Sequence, residues 1–138
     1  MIYQKLLEFQ KKGITLKKDG SNPHFKSSYV TLNEVLAQVK KPLNDLGVVV
    51  IQKGGSGVSG DHGLYTTLYD TEDDTEVTSY MPYVGATDSQ KLGSANTYLR
   101  RYSLITLLGL EDEDDDGNTA SAKKATGVGE QTEEPFKI

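Results

Sequence analysis

The chain has 138 residues, a formal net charge of −5 and no cysteine. That length suits one domain with a single core, and the missing thiols exclude disulfides, thiolate metal sites and a cysteine nucleophile. The longest strictly apolar run, residues 48–51, is far short of a membrane span, and MIYQKLLEFQKK lacks the apolar core and cleavage-like site of a signal peptide, so a soluble protein of a reducing cytosol is expected.

The charge is partitioned along the chain. Residues 1–53 hold nine lysines against four acids, and residues 54–90 hold seven acids and no Lys or Arg. Residues 91–110 hold three cations and no acid, and residues 111–138 nine acids against three lysines. Local patches, not the total, therefore decide what the molecule attracts.

Taken in order, residues 1–12 predict a short helix with Ile2, Leu6 and Phe9 on one stripe and Gly13 at its end. Residues 14–22, broken by Asp19-Gly20 and Asn22-Pro23, read as extended or looped. Thr31 and Glu34 have capping-box spacing ahead of a helix marked by Leu32, Val35, Leu36, Val39, Leu43 and Leu46, and Gly47 stops it. Pro42 lies inside this period and predicts a kinked last turn. Residues 48–53, 64–70 and 76–83 read as three strands of an antiparallel meander. Between them lie a mobile connection with five glycines (54–63) and a tight acidic turn (71–75). A second long helix is expected from residues 88–90, capped by Thr87 and Gln90, to Leu108-Gly109. The fold class is α+β, with residues 1–110 folded. Residues 111–138 are acidic and poor in large apolar side chains, and read as a disordered tail.

Two segments offer cations beside aromatic rings. In NPHFKSSY (22–29), Lys26 can pair with a phosphate, Ser27 can donate to one, and Phe25 or Tyr29 can stack on a base. The following helix adds Lys40 and Lys41. In the late helix, Ser94, Tyr98, Arg101 and Ile105 cluster on one side, roughly opposite Leu92, Ala95, Leu99 and Thr106. Arg100 lies about 100° from Arg101, so the two cannot both point into one groove. The competing reading makes Phe25 and Tyr29 core anchors, the lysines merely solvated and the arginines salt-bridge partners. The acid-free helix favours DNA.

Catalysis has little support. There are two histidines and no HExxH or CxxC spacing. Asp112, Asp114 and Asp116 offer carboxylates suited to Mg²⁺ or Ca²⁺, but without the glycine and terminal glutamate of a calcium loop. GGSGVSG (54–60) has no following Lys-Ser/Thr and opens no helix, so it is no phosphate-binding loop. No cofactor and no metal site are expected.

NPHFKSSY, the capped helix TLNEVLAQVKKPLNDLG and GSANTYLRRYSLITLLGLEDEDDDGN together resemble the ERF (essential recombination function) family of phage single-strand annealing proteins. The similarity runs from about residue 20 to residue 118, and the two end blocks are specific as a pair. The resemblance implies a β-β-β-α core packed on helices and assembling into rings or helical filaments. It also implies ATP-independent binding of single-stranded DNA and its pairing with a complementary strand during phage recombination in the bacterial host cytoplasm. A phage exonuclease or a host single-strand-binding protein is the further partner implied. Carried across, the family's NPHFKSxY block falls on residues 22–29 and its G-S-x-x-T-Y-x-x-R-Y segment on residues 93–102. That makes Lys26, Lys91, Arg100 and Arg101 DNA contacts and Tyr29, Tyr98 or Tyr102 stackers; Lys40 and Lys41 complete the expected set. Asn96 carries no expectation. The rival readings are a protein that protects single strands without annealing them, an interaction adaptor, and, last, a metal-dependent nuclease.

Overall fold

The computed structural model describes residues 1–22 and 27–112. The stripe at the start of the chain forms α1 (Ile2–Gln10), with Ile2 and Phe9 buried, and the chain turns away at Gly13, whose φ of 64° suits glycine. The stretch read as extended or looped yields β1 (Thr15–Leu16) and β2 (Gly20–Asn22). β3 (Ser27–Tyr29) runs antiparallel to β2, with Tyr29 opposite Gly20.

Thr31 caps α2 (Leu32–Asp45) as expected, its hydroxyl accepting from the Glu34 N–H at 3.1 Å. The reciprocal arm of the capping box goes elsewhere. The Thr31 N–H donates to Asp19 (3.1 Å), and the Glu34 carboxylate accepts from the Lys17 N–H (2.9 Å). Both bonds therefore tie the segment before the helix to its first turn. The helix runs through Pro42 to Asp45, and Gly47, at φ 86°, lets the chain reverse into the sheet.

The meander is β4 (Val48–Ser56), β5 (His62–Asp70) and β6 (Glu76–Pro82), antiparallel and in the order β4-β5-β6. Its glycine-rich connection is shorter than expected. Gly54, Gly55 and Gly63 sit inside the ladder, leaving 57–61 as the turn. A Cβ at Gly63 would strike the Tyr80 ring and the Met81 carbonyl, and one at Gly55 would press on the Tyr65 ring at 3.1 Å. These glycines make room for the Tyr65–Tyr80 pair, whose ring centres lie 4.8 Å apart. They serve packing, not looseness.

α3 (Ser89–Leu108) crosses the inner face of the sheet. Its cap is Asp88, one residue later than expected, accepting from the Lys91 N–H at 2.8 Å. Asp88 displaces Thr87 because a carboxylate at a helix N-terminus also meets the positive end of the dipole. Gly109 ends the helix in the left-handed region, with the Leu110 N–H returning to the Ile105 carbonyl. The buried stripe is Ala95, Leu99, Ser103, Leu104 and Leu108, whereas Leu92 and Thr106 are exposed. The core joins Ile2, Phe9, Leu16, Val35, Val39, Leu43, Val48, Leu68, Leu104 and Leu108 from all three helices and the sheet. Mixed helix and antiparallel sheet is thus the observed class. Of the expected tail, Glu111 and Asp112 form β7, parallel to β1; residues 113–138 lie outside the described residues.

One buried carboxylate ties the first helix to the sheet. Asp70, with no exposed side-chain surface, meets Lys5 at 3.1 Å and the Met1 ammonium at 3.4 Å, and accepts the Glu72 N–H at 3.0 Å. Lys5 also donates to the Leu46 carbonyl at 2.7 Å. The Glu72 N–H, and after it Lys5, hold the Asp70 carboxyl below the usual carboxylate range despite burial. A carboxyl whose folded pKa is depressed contributes stability above its unfolded value of about 4, and loses it as pH falls through the folded value. Asp70→Asn should therefore lower the melting temperature at neutral pH, with the gap to wild type closing below about pH 4. Thermal melts across pH check this, and a gap independent of pH would contradict it.

Candidate nucleic-acid interface

β3 and α3 bring two parts of the predicted constellation together. Tyr29 is directed by its backbone neighbours. It pairs across from Gly20, where a Cβ would lie 2.7 Å from the ring. Only a residue without a side chain lets the ring lie over that strand. Asp19 then pins the junction by accepting both the N–H and the hydroxyl of Thr31 at 3.1 and 3.0 Å. The Thr31 N–H is the main reason its carboxyl sits below the usual range.

On α3, residues 94, 98 and 101 fall on one flank at helical spacing. The Arg101 guanidinium carbon lies 5.3 Å from the centre of the Tyr98 ring and 5.5 Å from that of Tyr29. Tyr98 is itself stacked on Tyr102, one turn on, with centres 5.6 Å apart and planes 15° from parallel. The cation therefore bridges the late helix and the short hairpin. Each such contact contributes roughly 0.5–1 kcal/mol at an exposed site. Contact through the π-faces leaves the in-plane N–H donors of a guanidinium available for an anion, in the fork that suits a phosphate. Among the described residues no carboxylate forms an ion pair with Arg101.

Two hollows flank this cation. One, of about 710 Å³, is lined by Ser21, Ser27, Tyr29, Ser94, Tyr98 and Arg101. The other, of about 770 Å³, is lined by the loop from Val84 to Asp88 together with Lys91, Ser94 and Tyr98. They share Ser94 and Tyr98, so they lie side by side along the flank of α3 from Lys91 to Arg101, and together are termed the trough. The Tyr83 hydroxyl donates to Asn96 at 2.8 Å and holds the loop against the helix. That gives Asn96 a structural role.

The remaining expected residues separate. Arg100 turns the other way, as the helical angle required. Its Nε donates to the Gln52 side chain at 3.3 Å, and the Gln52 amide donates to the Arg100 carbonyl at 3.0 Å and to Thr66 at 3.1 Å. Lys41 pairs within its own helix to Asp45 at 3.1 Å. Lys40 lines a different hollow, beside Val48, Val49 and Val50. Lys26 lies outside the described residues, as do Phe25, Asp114 and Asp116.

Gly20, Asp19 and Tyr83 support this site without being marked by sequence pattern. Asp19-Gly20 is visible as a break, but its spatial neighbours are not. Among the described residues no group of three His, Cys, Asp or Glu side chains is placed to hold a metal ion, and no helix is long and apolar enough to cross a membrane.

Comparison with known proteins gives one result. No curated protein and no solved structure matches the chain. The family model of the ERF superfamily matches residues 2–136, from the first helix through the trough and beyond, and by that match the chain belongs to the ERF superfamily.

Proposed function

We propose that the protein binds single-stranded DNA along the α3 trough and anneals complementary strands in phage recombination, without ATP, in the cytoplasm of the bacterial host. Membership of the ERF superfamily supports a role of this class, and members are generally not catalysts. The single observation that carries the reading is the Arg101 guanidinium set against Tyr29 and Tyr98 with no acid paired to it among the described residues.

Annealing needs a grip on the sugar-phosphate backbone that leaves base edges exposed. Phosphate contacts supply it, because they fix position without reading sequence. In the trough the tyrosine rings are engaged with Arg101 and with each other, so they orient the cation. Lys91 adds a second positive charge roughly 15 Å further along the helix, at 1.5 Å rise per residue. Two such cations per subunit give modest affinity, so useful binding comes from many copies acting together. In this reading Arg100, Lys40 and Lys41 contribute long-range attraction rather than direct contacts, and Lys26 stays a phosphate contact that the family resemblance implies.

Three measurements test the proposal. Arg101→Ala should weaken binding of an oligonucleotide by about 1.5–3 kcal/mol, the usual worth of a charged hydrogen bond. It should also flatten the dependence of log K on log salt by about 0.7 per phosphate that is no longer neutralised. Arg100→Ala should leave that slope nearly unchanged; equal slopes for wild type and Arg101→Ala would reject the assignment. Gly20→Ala, which removes no functional side chain, should reproduce part of the Arg101→Ala effect by displacing the Tyr29 ring. Unaltered binding would show that the ring has no part in setting the cation. Finally, wild type should accelerate pairing of complementary oligonucleotides followed by fluorescence transfer. Slower pairing than in buffer would identify a protecting protein, and no DNA-dependent shift at low salt an adaptor.

A further inference from the structure

The two hollows along the α3 flank are built from different chemistry. The one beside Arg101 sets the hydroxyls of Ser21, Ser27 and Ser94 near the guanidinium, and among the described residues no acid lines it. Hydroxyls and a guanidinium are donors that phosphate oxygens accept from. The other hollow, of about 770 Å³, is walled by the apolar side chains of Val84, Ala86 and Ala95 with the Tyr98 ring. An acid, Asp88, also lines it, held at the start of α3 by the Lys91 N–H at 2.8 Å. A carboxylate repels a phosphate but not an uncharged ring.

The walls of this second hollow are fixed before any ligand arrives. Val84 and Ala86 stand on the loop between β6 and α3, which two bonds from one residue hold in place. The Tyr83 N–H donates to the His62 carbonyl at 3.0 Å, and its hydroxyl donates to Asn96 at 2.8 Å. Gly85 turns the loop at φ 76°, a conformation that favours glycine. Ala95 belongs to the buried stripe of α3. Val84, by contrast, is 65% exposed and takes no part in the core. One exposed apolar side chain needs no explanation, but one that walls a fixed hollow of ligand size points to an apolar guest.

We infer that the hollow beside Val84 seats one nucleobase of the bound strand, while the phosphates on either side of it lie on Lys91 and towards Arg101. This rests on the DNA binding proposed above and divides the trough into a base subsite and a phosphate subsite. Contact with Val84, Ala86, Ala95 and the Tyr98 ring is made through a base's faces, which every base offers, so the subsite carries no sequence preference. The Gln90 amide and the Ser94 hydroxyl, both in the lining, can each donate or accept and so suit either kind of polar base edge. A strand stacked as in a duplex advances about 3.4 Å per nucleotide. The roughly 15 Å of helix from Lys91 to Arg101 therefore spans about four nucleotides. One base is withdrawn and its neighbours keep their pairing edges outward, so a complementary strand starts on the free bases and draws the seated one out last.

The test separates bases from phosphates by comparing oligothymidylate with a strand of equal length made of abasic deoxyribose phosphates. The full chain should bind the strand with bases tighter by roughly five- to a hundredfold, the usual worth of one stacked base. The slopes of log K against log salt should be similar, because the phosphates are the same. Two variants then locate the difference: Ala86→Leu, which fills the hollow, and Val84→Ser, which strips its apolar wall. Both lie outside the buried core, and circular dichroism should show them folded. Each should lose affinity for oligothymidylate and keep wild-type affinity for the abasic strand. Free thymidine monophosphate, which cannot reach both cations at once, should fail to displace oligothymidylate at micromolar concentration. Equal wild-type affinity for the two strands would overturn the base subsite and leave the proposed function standing. So would variants that weaken both strands alike or neither, and displacement by the free nucleotide would make the hollow a mononucleotide site instead. Binding of neither strand at low salt would reject the proposed function and this inference with it.

Discussion

One guanidinium held between two rings sets the geometry of the proposed interface. Arg101 touches Tyr98 from its own helix and Tyr29 from a hairpin far earlier in the chain. Without the fold these residues are unrelated; with it, they fix the position of a charge that would otherwise sweep through many rotamers. A cation already oriented by aromatic faces loses less entropy when it meets a phosphate than a free lysine does. The rest of the molecule supports that geometry. Gly20 clears space for one ring, Asp19 and Thr31 lock the hairpin to α2, and the inner face of the sheet carries α3.

Charge segregation is the second constraint. The acids of residues 54–90 are not excess solvation. Asp70 anchors α1 through Lys5, and Asp73 is drawn down to about 2 by the Thr75 hydroxyl and then by the Met1 ammonium. Asp61 and Asp74 take up the hydroxyls of Tyr80 and Tyr69, whose own pKa values are pushed up. Tyr69 and Tyr80 on that outer face are therefore tied to carboxylates, while Tyr29 and Tyr98 on the α3 flank are tied to an arginine. Two tyrosine-rich surfaces of one small domain thus carry opposite electrostatic character. In the proposed reading, that difference makes the α3 flank the surface that meets nucleic acid.

Much of this is legible in local pattern. The helical stripes of α1 and α2, the three-strand meander and the divergence of Arg100 from Arg101 all follow from short-range periodicity, and the fold keeps them. What escapes the sequence is anything set by distant neighbours. The glycines at 55 and 63 look like parts of a flexible loop until Tyr65 and Tyr80 are placed beside them. Asp88 rather than Thr87 caps α3, although only Thr87, three residues before Gln90, has capping-box spacing. Lys40 and Lys41 carry the right charge, but their turn of α2 lines no part of the trough. Resemblance supplies the family; it does not say which cations share a surface.

Photocrosslinking to single-stranded DNA containing a photoreactive thymine analogue, with the attached peptides identified by mass spectrometry, tests most directly whether the strand follows the α3 trough. Adducts are predicted on the α3 flank and the β3 hairpin, at Tyr98, Tyr102 or Tyr29. Adducts concentrated on Tyr65, Tyr69 or Tyr80 would instead place the strand on the acidic outer face of the sheet and contradict the proposed path.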